Sequence, residues 1–260
     1  MLRQALRRSR DALLDLLFPP RCAGCRRLGA LLCPDCLQAL APVGEAICVR
    51  CGVATTARCT CITCKSDPPD PLRGMRGVVF YGGVAAAAIQ ALKYEGKKQL
   101  AAPLGDLLVA YLDAHPLPFD CVTPAPLHAN RLAERGFNQA ELLARRLSEV
   151  KGLPLRTDLV FRQRHTSQQV HLNRQERRAN MIDAFAPQPG AALSGERVLL
   201  IDDVCTSGAT LRACGQALAA AGAGEIWALC VARAHPPIPL EPWQQGLTPA
   251  QLFMTVSGDA

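Results

Sequence analysis

Eight of the thirteen cysteines stand in four C-x2-C pairs, and all four pairs fall before residue 65. They are Cys22 with Cys25, Cys33 with Cys36, Cys48 with Cys51, and Cys61 with Cys64. A C-x2-C turn presents two sulfurs to one point, and two such turns complete the tetrahedral all-thiolate shell that zinc takes in structural sites. Four turns make two sites. Closed four-coordinate shells leave no position for a substrate water, so both zinc ions are expected to be structural. A segment this short has little core of its own, so metal binding is expected to supply much of its folding free energy. Iron can also use four thiolates, but neither the bacterial nor the plant ferredoxin spacing is present.

Sequential use of the pairs, 22-25-33-36 and then 48-51-61-64, is the first expectation, and spacing alone leaves an interleaved arrangement open. Cys59, two residues before Cys61, is a competing ligand. The first 18 residues are interrupted by Arg7, Arg8, Arg10, Asp11 and Asp15 and do not resemble an export signal, which argues for metal-bound thiolates over a disulfide framework. Cys121, Cys205, Cys214 and Cys230 lie scattered in apolar contexts and are expected as small buried hydrophobes. Leu6, Leu13, Leu14, Leu17 and Phe18 share one helical face, so residues 1–20 are expected to hold an amphipathic helix stopped by Pro19 and Pro20. It either docks on the rest of the chain or lies on a membrane surface. No apolar run reaches the ~18 residues needed to span a bilayer. A cytoplasmic protein, with membrane-peripheral contact as the alternative, is the expectation.

The second informative stretch is Val198 to Thr210, V-L-L-I-D-D-V-C-T-S-G-A-T. An apolar run enters two adjacent acids, then small residues, then a helical pattern at Leu211, Cys214 and Leu218. This is strand, loop and helix, and the acids are expected where the strand leaves the sheet, the edge at which open α/β sheets bind ligands. Thr206, Ser207, Gly208, Ala209 and Thr210 can turn backbone N–H groups and hydroxyls toward one phosphate at a helix N-terminus. Asp202 and Asp203 suit the vicinal hydroxyls of a ribose, or a divalent cation. There is no G-x-x-x-x-G-K-[ST] and no G-x-G-x-x-G after a strand, which argues against a triphosphate cradle. The stretch resembles the phosphoribosyl pyrophosphate (PRPP) signature of type I phosphoribosyltransferases.

Between these regions, Lys65 to Pro71 (K-S-D-P-P-D-P) has the composition of a linker. The expected organisation is a double zinc ribbon over 21–66, a linker over 67–76, an α/β domain with a parallel sheet over 77–235 and a tail over 236–260. Within the domain, strands are expected at Val78–Tyr81 and Cys121–Thr123, and helices at Val84–Leu92, Leu100–Asp113 and Glu141–Val150. Pro124 to Ala140 is expected as an unusual loop whose Arg131 and Arg135 face a second anion. Arg162 to Asn180 is strongly basic and is expected to act as a hood over a polyanion. The net charge of +7 permits contact with phosphates or nucleic acid without demanding it. Arg21, Arg26, Arg27, Arg50 and Arg58 interleave with the cysteines, but no aromatic residue accompanies them between 21 and 64, so single-strand contact there is a weak expectation.

Taken together, these segments resemble the ComF family. The resemblance rests on the C-x2-C pairs, A-L-K-Y at Ala91–Tyr94, P-L-H-x3-R-x3-R-G-F-N-Q-A at Pro126–Ala140, Thr166-x2-Gln169-x2-Leu172, Asn180 with Ala184 and Phe185, and the PRPP-like loop. Cys205 before Thr206, Ser207 where threonine is common, and the extra Cys59 depart from the pattern. The resemblance implies a phosphoribosyltransferase-like fold and a role in natural transformation, the handling of imported single-stranded DNA with DNA-uptake proteins as partners. It implies PRPP, with Mg2+ bound to its phosphates, as ligand. Asp202 and Asp203 would hold the ribose and carry any catalysis, residues 206–210 its 5-phosphate, and Arg131 or Arg135 the pyrophosphate. Three functions stay open: PRPP binding in DNA uptake, transfer of ribose 5-phosphate to a nitrogen acceptor, and a zinc-ribbon adaptor whose sugar-phosphate site is vestigial. A homodimer follows only by analogy of fold.

Overall fold

The computed structural model describes residues 19–68, 70–163 and 183–234. The amphipathic segment 2–18, residues 164–180 of the basic segment, and the tail lie outside the described residues. In chain order the elements are helices α1 (Pro34–Gln38) and α2 (Ile62–Ser66), strand β1 (Leu72–Phe80), helices α3 (Gly83–Tyr94) and α4 (Ala101–Ala114), and strand β2 (Cys121–Pro124). There follow helices α5 (Ala129–Arg135) and α6 (Gln139–Lys151), strands β3 (Val160–Arg162), β4 (Phe185–Pro187) and β5 (Arg197–Cys205), helix α7 (Ala209–Ala220) and strand β6 (Glu225–Arg233).

Strands β1, β6, β5 and β2 form one parallel sheet in that order, and β3 pairs with β4 antiparallel. The uninterrupted apolar run of β5 is explained by cover on both sides, since Val198, Leu199, Leu200 and Ile201 are all essentially inaccessible. Alternation along the strands divides the core. Leu199, Ile201, Leu229 and Val231 pack with α3, α4 and α6, whereas Val198, Leu200, Ala228 and Cys230 pack with α7 and the β3–β4 pair. Helix α6 follows from its pattern, with Leu143, Ala144 and Leu147 inward, Asn138 accepting from Ala140 N–H as N-cap, and Gly152 closing it in the left-handed region.

The cysteine-rich segment is built into this core. Cys22, Cys33 and Cys36 join the apolar cluster on the α3 face, and Cys48, Cys51 and Cys64 join the one on the α7 face. Between them, residues 41–50 run along the outer edge of β1. Val43 N donates to Val78 O (3.0 Å), Phe80 N to Ala41 O (2.8 Å) and Met75 N to Arg50 O (2.8 Å), so the edge of the sheet is covered.

Three expectations change here. β1 begins at Leu72, so residues 72–76, expected as linker, form the first half of an inner-paired strand, because Leu72, Met75 and Arg76 are buried against β6. The strand β5 does not end at the acids. β6 is equally long and pairs with it through Cys205, opposite Arg233. Residues 124–140 hold a short helix, α5, where only a loop was expected, with Gly136 at φ 74° as its C-cap.

Candidate functional site

The short strand β2 creates the site. It pairs with β5 only as far as Ile201, where Ala125 N–H donates to Ile201 O at 2.8 Å. Beyond that point Asp202 to Cys205 pair with β6 and no longer with β2, and Gln139 at the N-terminus of α6 reaches Asp203. Asp203 is 3% exposed. Its Oδ1 accepts from Gln139 Nε2 (3.2 Å) and its Oδ2 is paired with the Lys93 ammonium at the end of α3. Burial alone would lower the Lys93 pKa, but the adjacent Asp203 and Asp202 carboxylates raise it above the ordinary lysine value. Gln139 Oε1 accepts from Arg135 Nη1 (2.5 Å), and the Arg135 guanidinium lies 5.2 Å from the centroid of the exposed Tyr94 ring. A chain of contacts thus joins Tyr94, Arg135, Gln139, Asp203 and Lys93.

Asp202 is the more accessible acid, with Oδ1 accepting from Asp203 N–H at 2.8 Å. Burial first, and the Asp203 charge second, hold its carboxyl well above the usual carboxylate range. Arg162, from β3, is stacked over Phe185 at 5.4 Å and feels both Arg131 and Asp202, with burial pulling its pKa down. Of the residues expected in the site, the structure brings Asp202, Asp203 and Arg135 together, and Arg131 lies close enough to Arg162 for its charge to lower that pKa.

The loop 206–210 closes over the same edge. Gly208, at φ 76°, is the N-cap of α7, Thr206 is exposed, and Gly208 and Ala209 are buried. A Cβ on Gly208 would lie 2.8 Å from Met75 Sδ, so the loop rests on β1. Arg212 in the first turn of α7 fixes it from behind, donating from Nη1 to Ser207 O (3.0 Å) and from Nε to Asp70 Oδ2 (2.6 Å). Asp70, in the segment expected as a tether, also accepts from Leu72 N–H at 2.7 Å. The N–H groups of the first helical turn have no acceptor within a helix, which leaves the loop suited to an anion.

Sequence reasoning missed Lys93, Gln139, Arg212 and Asp70. The first two lie inside A-L-K-Y and F-N-Q-A, the motifs already singled out, so their signal was present without an assigned partner.

The cysteines gather in two sets, 22-25-33-36 and 48-51-61-64, each with its four sulfurs within 4.8 Å of one another. Sγ of Cys25 and Cys33 are 3.6 Å apart, and those of Cys51 and Cys61 3.8 Å. A tetrahedron with zinc–sulfur bonds of about 2.3 Å has edges of roughly 3.8 Å, whereas a disulfide needs about 2.05 Å. Each set is built alike, with Cys33 or Cys61 as the N-cap of a five-residue helix and Cys36 or Cys64 inside it. Backbone N–H groups point at the sulfurs. Cys33 N reaches Cys22 Sγ at 3.4 Å, and Cys51 N and Cys61 N reach Cys48 Sγ at 3.5 and 3.3 Å. Burial would raise the Cys22 and Cys48 thiols, but these donors bring each down to about 6, while burial and the other thiols push Cys36 up to about 12. Four thiols forced together in this way suit one divalent cation, and the residues fit zinc. Cys59 stays exposed and outside both sets. Its carbonyl accepts from Val49 N–H.

Among the described residues no helix is long and apolar enough to cross a membrane. Residues 13–65 match the double zinc ribbon domain family, and residues 132–245 match the phosphoribosyl transferase domain family. The DNA utilization protein YhgH of Escherichia coli O157:H7 is 31% identical over 228 residues, which is 83% of this chain and 98% of that protein. Competence protein F of Haemophilus influenzae is 35% identical over 56% of this chain and 66% of its own. Competence protein ComFC of Bacillus subtilis is 26% identical over 69% of this chain and 74% of its own.

Proposed function

The chain belongs to the ComF-type family of competence protein F and DNA utilization protein YhgH, with a double zinc ribbon and a phosphoribosyltransferase domain, and from that membership we propose that it binds PRPP in the handling of imported single-stranded DNA. The observation that carries the reading is the accessible Asp202 beside the loop 206–210, at the one sheet edge where β2 stops short. Asp202 would accept the ribose hydroxyls. Asp203, already held by Lys93 and Gln139, would fix the position of Asp202 and add negative charge for Mg2+. Thr206, Ser207, Gly208, Ala209 and Thr210 would take the 5-phosphate, and Arg135 with Arg131 the pyrophosphate. Should an acceptor nitrogen attack the anomeric carbon, these residues supply positioning and charge, and pyrophosphate leaves with the bonding electron pair.

In this reading the work lies on the cytoplasmic side of the membrane with DNA-uptake proteins as partners, which the names of the competence relatives support. Titration of the zinc-loaded protein with Mg-PRPP in a calorimeter tests the site. Asp202→Asn replaces one acceptor oxygen with a donor and is expected to weaken binding about tenfold or more. Unchanged affinity in that variant, or no binding by the wild type, would remove the PRPP reading. Pyrophosphate release with candidate amines and bases decides turnover. In a transformable host, deletion is expected to lower DNA uptake, and unaltered uptake would remove the DNA part of the reading.

A further inference from the structure

A second cleft of about 220 Å³ lies where residues 44–58 of the cysteine-rich segment meet the sheet and the end of α4. It is separate from the acids. Trp227 pairs with Leu199, three residues before Asp202, which at about 3.3 Å per residue places the cleft roughly 10 Å from them along the sheet. Its lining includes Glu45, Arg58, Arg76, Tyr111, His115 and Trp227.

Arg76 is the decisive residue. It is 6% exposed, and its guanidinium stacks over Trp227 at 5.0 Å. Nη1 donates to the carbonyls of Val49 (3.0 Å) and Met75 (2.9 Å), and among the described residues no carboxylate pairs with it. Its direct partners are neutral carbonyls, the nearby anionic groups are Tyr111 and the Cys48 and Cys51 sulfurs, and burial draws its pKa down. The next charge in the cleft makes this worse, because Arg58 is also cationic and, among the described residues, forms no ion pair. Glu45 does not relieve it. Its carboxylate is exposed and lies 3.7 Å from His115 Nε2 at the rim. Tyr111 stacks on His115 at 4.5 Å and 22°, so one wall of the cleft offers a flat aromatic surface.

The geometry points to a binding site for a nucleoside monophosphate, its phosphate between Arg58 and Arg76 and its base against the Tyr111–His115 wall. Two guanidinium groups suit the planar, bidentate recognition of a phosphate monoester, and aromatic faces accept any base. At about 220 Å³ the cleft is no larger than a single nucleotide unit and has no room for a run of them. That unit is either a free nucleotide or the 5′-phosphorylated end of a strand, and the two share this chemistry. The inference does not depend on the reading of Asp202 and the loop.

Calorimetric titration of the full zinc-loaded chain with AMP tests it. In the Asp202→Asn background, where the acid site is disabled, the expected result is one site per chain, weakened about tenfold or more by Arg58→Glu and only partly kept by Arg58→Lys. Arg58 is exposed, so neither of its variants threatens folding. Competition of AMP with 5′-phosphorylated and unphosphorylated oligo(dA) separates the sources. Displacement by the phosphorylated strand alone identifies a strand end, and displacement by neither identifies the free nucleotide. Absence of AMP binding at millimolar concentration would overturn the inference. So would binding that survives Arg58→Glu and disappears in Asp202→Asn, since the nucleotide would then occupy the acid site.

Discussion

The two cysteine sets are near copies in sequence and unlike in surroundings. Each is a pair of C-x2-C turns ending in a five-residue helix. The first packs on the α3 face, where a Cβ on Gly24 would meet Cys36 Sγ and Val84. The second packs on the α7 face and reaches the loop 206–210 by three routes. Arg50, between Cys48 and Cys51, donates to the carbonyls of Cys64, Asp67 and Pro68, which leads to Asp70, Arg212 and Ser207. Gly52 and Gly208 both rest against Met75. Arg233, whose charge reaches Cys51, donates to Cys205 Sγ immediately before the loop. One motif therefore has two consequences, set by which face of the sheet it covers.

The largest expected effect follows from that asymmetry. Cys64→Ser, with loss of the second zinc ion, should weaken Mg-PRPP binding by more than about tenfold, since charged hydrogen bonds at the loop lose their frame. Cys36→Ser should also lose one zinc ion, yet the folded fraction should bind PRPP within about threefold of wild type. Zinc content and calorimetry on both variants decide this. Equal losses would mean that the two sets support the loop alike.

Lys93→Met comes next, and it sharpens the comparison from the α3 face. The Lys93 side chain is 20% exposed and that of Asp203 4%, so the variant leaves a buried carboxylate with Gln139 and Asp202 beside it and no paired cation among the described residues. The expected loss is about 3 kcal/mol in chemical denaturation. Adding Asp203→Asn should restore a substantial part of it, because the stranded charge is removed. A double variant no more stable than Lys93→Met would show that Lys93 supports packing and not the acid.

These contacts also mark where the sequence was legible. The apolar run of β5, its two acids, the small-residue loop and the C-x2-C pairs each declare themselves within a dozen residues, and local spacing suffices to place them. Lys93 at the end of a helix has an ordinary local explanation in the helix dipole, and only the fold brings it to Asp203. Asp70 fails for a related reason. A polar, proline-rich stretch has the composition of a tether, but its acid is buried against Arg212, 142 residues later. The course of 41–50 along β1 is likewise carried by backbone hydrogen bonds, which leave little trace in side-chain pattern. Cys59 was ambiguous by spacing and is settled by the bridge pairing that turns its backbone toward Cys48 and Val49.

Asp70→Asn tests the first route alone. Asn keeps an acceptor for Leu72 N–H but withdraws the charge from Arg212, whose side chain is 12% exposed. The expected cost is about 2 kcal/mol of stability, with PRPP affinity reduced about tenfold and both zinc ions retained. Wild-type affinity in this variant would leave the Met75 and Arg233 routes to carry the coupling.

The smallest effect expected is a difference between two glycines on either side of Met75. Both have positive φ, 67° at Gly52 and 76° at Gly208, so alanine at either site costs about 1 kcal/mol in backbone strain. The contacts differ. At Gly52 the added Cβ would lie 2.3 Å from the Met75 carbonyl oxygen, which is held in the strand, whereas at Gly208 it would meet the Met75 thioether, which can rotate away. Gly52→Ala should therefore destabilise the protein more than Gly208→Ala, by about a further 1–2 kcal/mol. Binding should rank the other way, because Gly208→Ala alters the loop that meets the phosphate. If Gly52→Ala proved the more harmful to PRPP affinity as well, the second zinc set would act on the loop chiefly through Met75, and the arginine routes would be secondary.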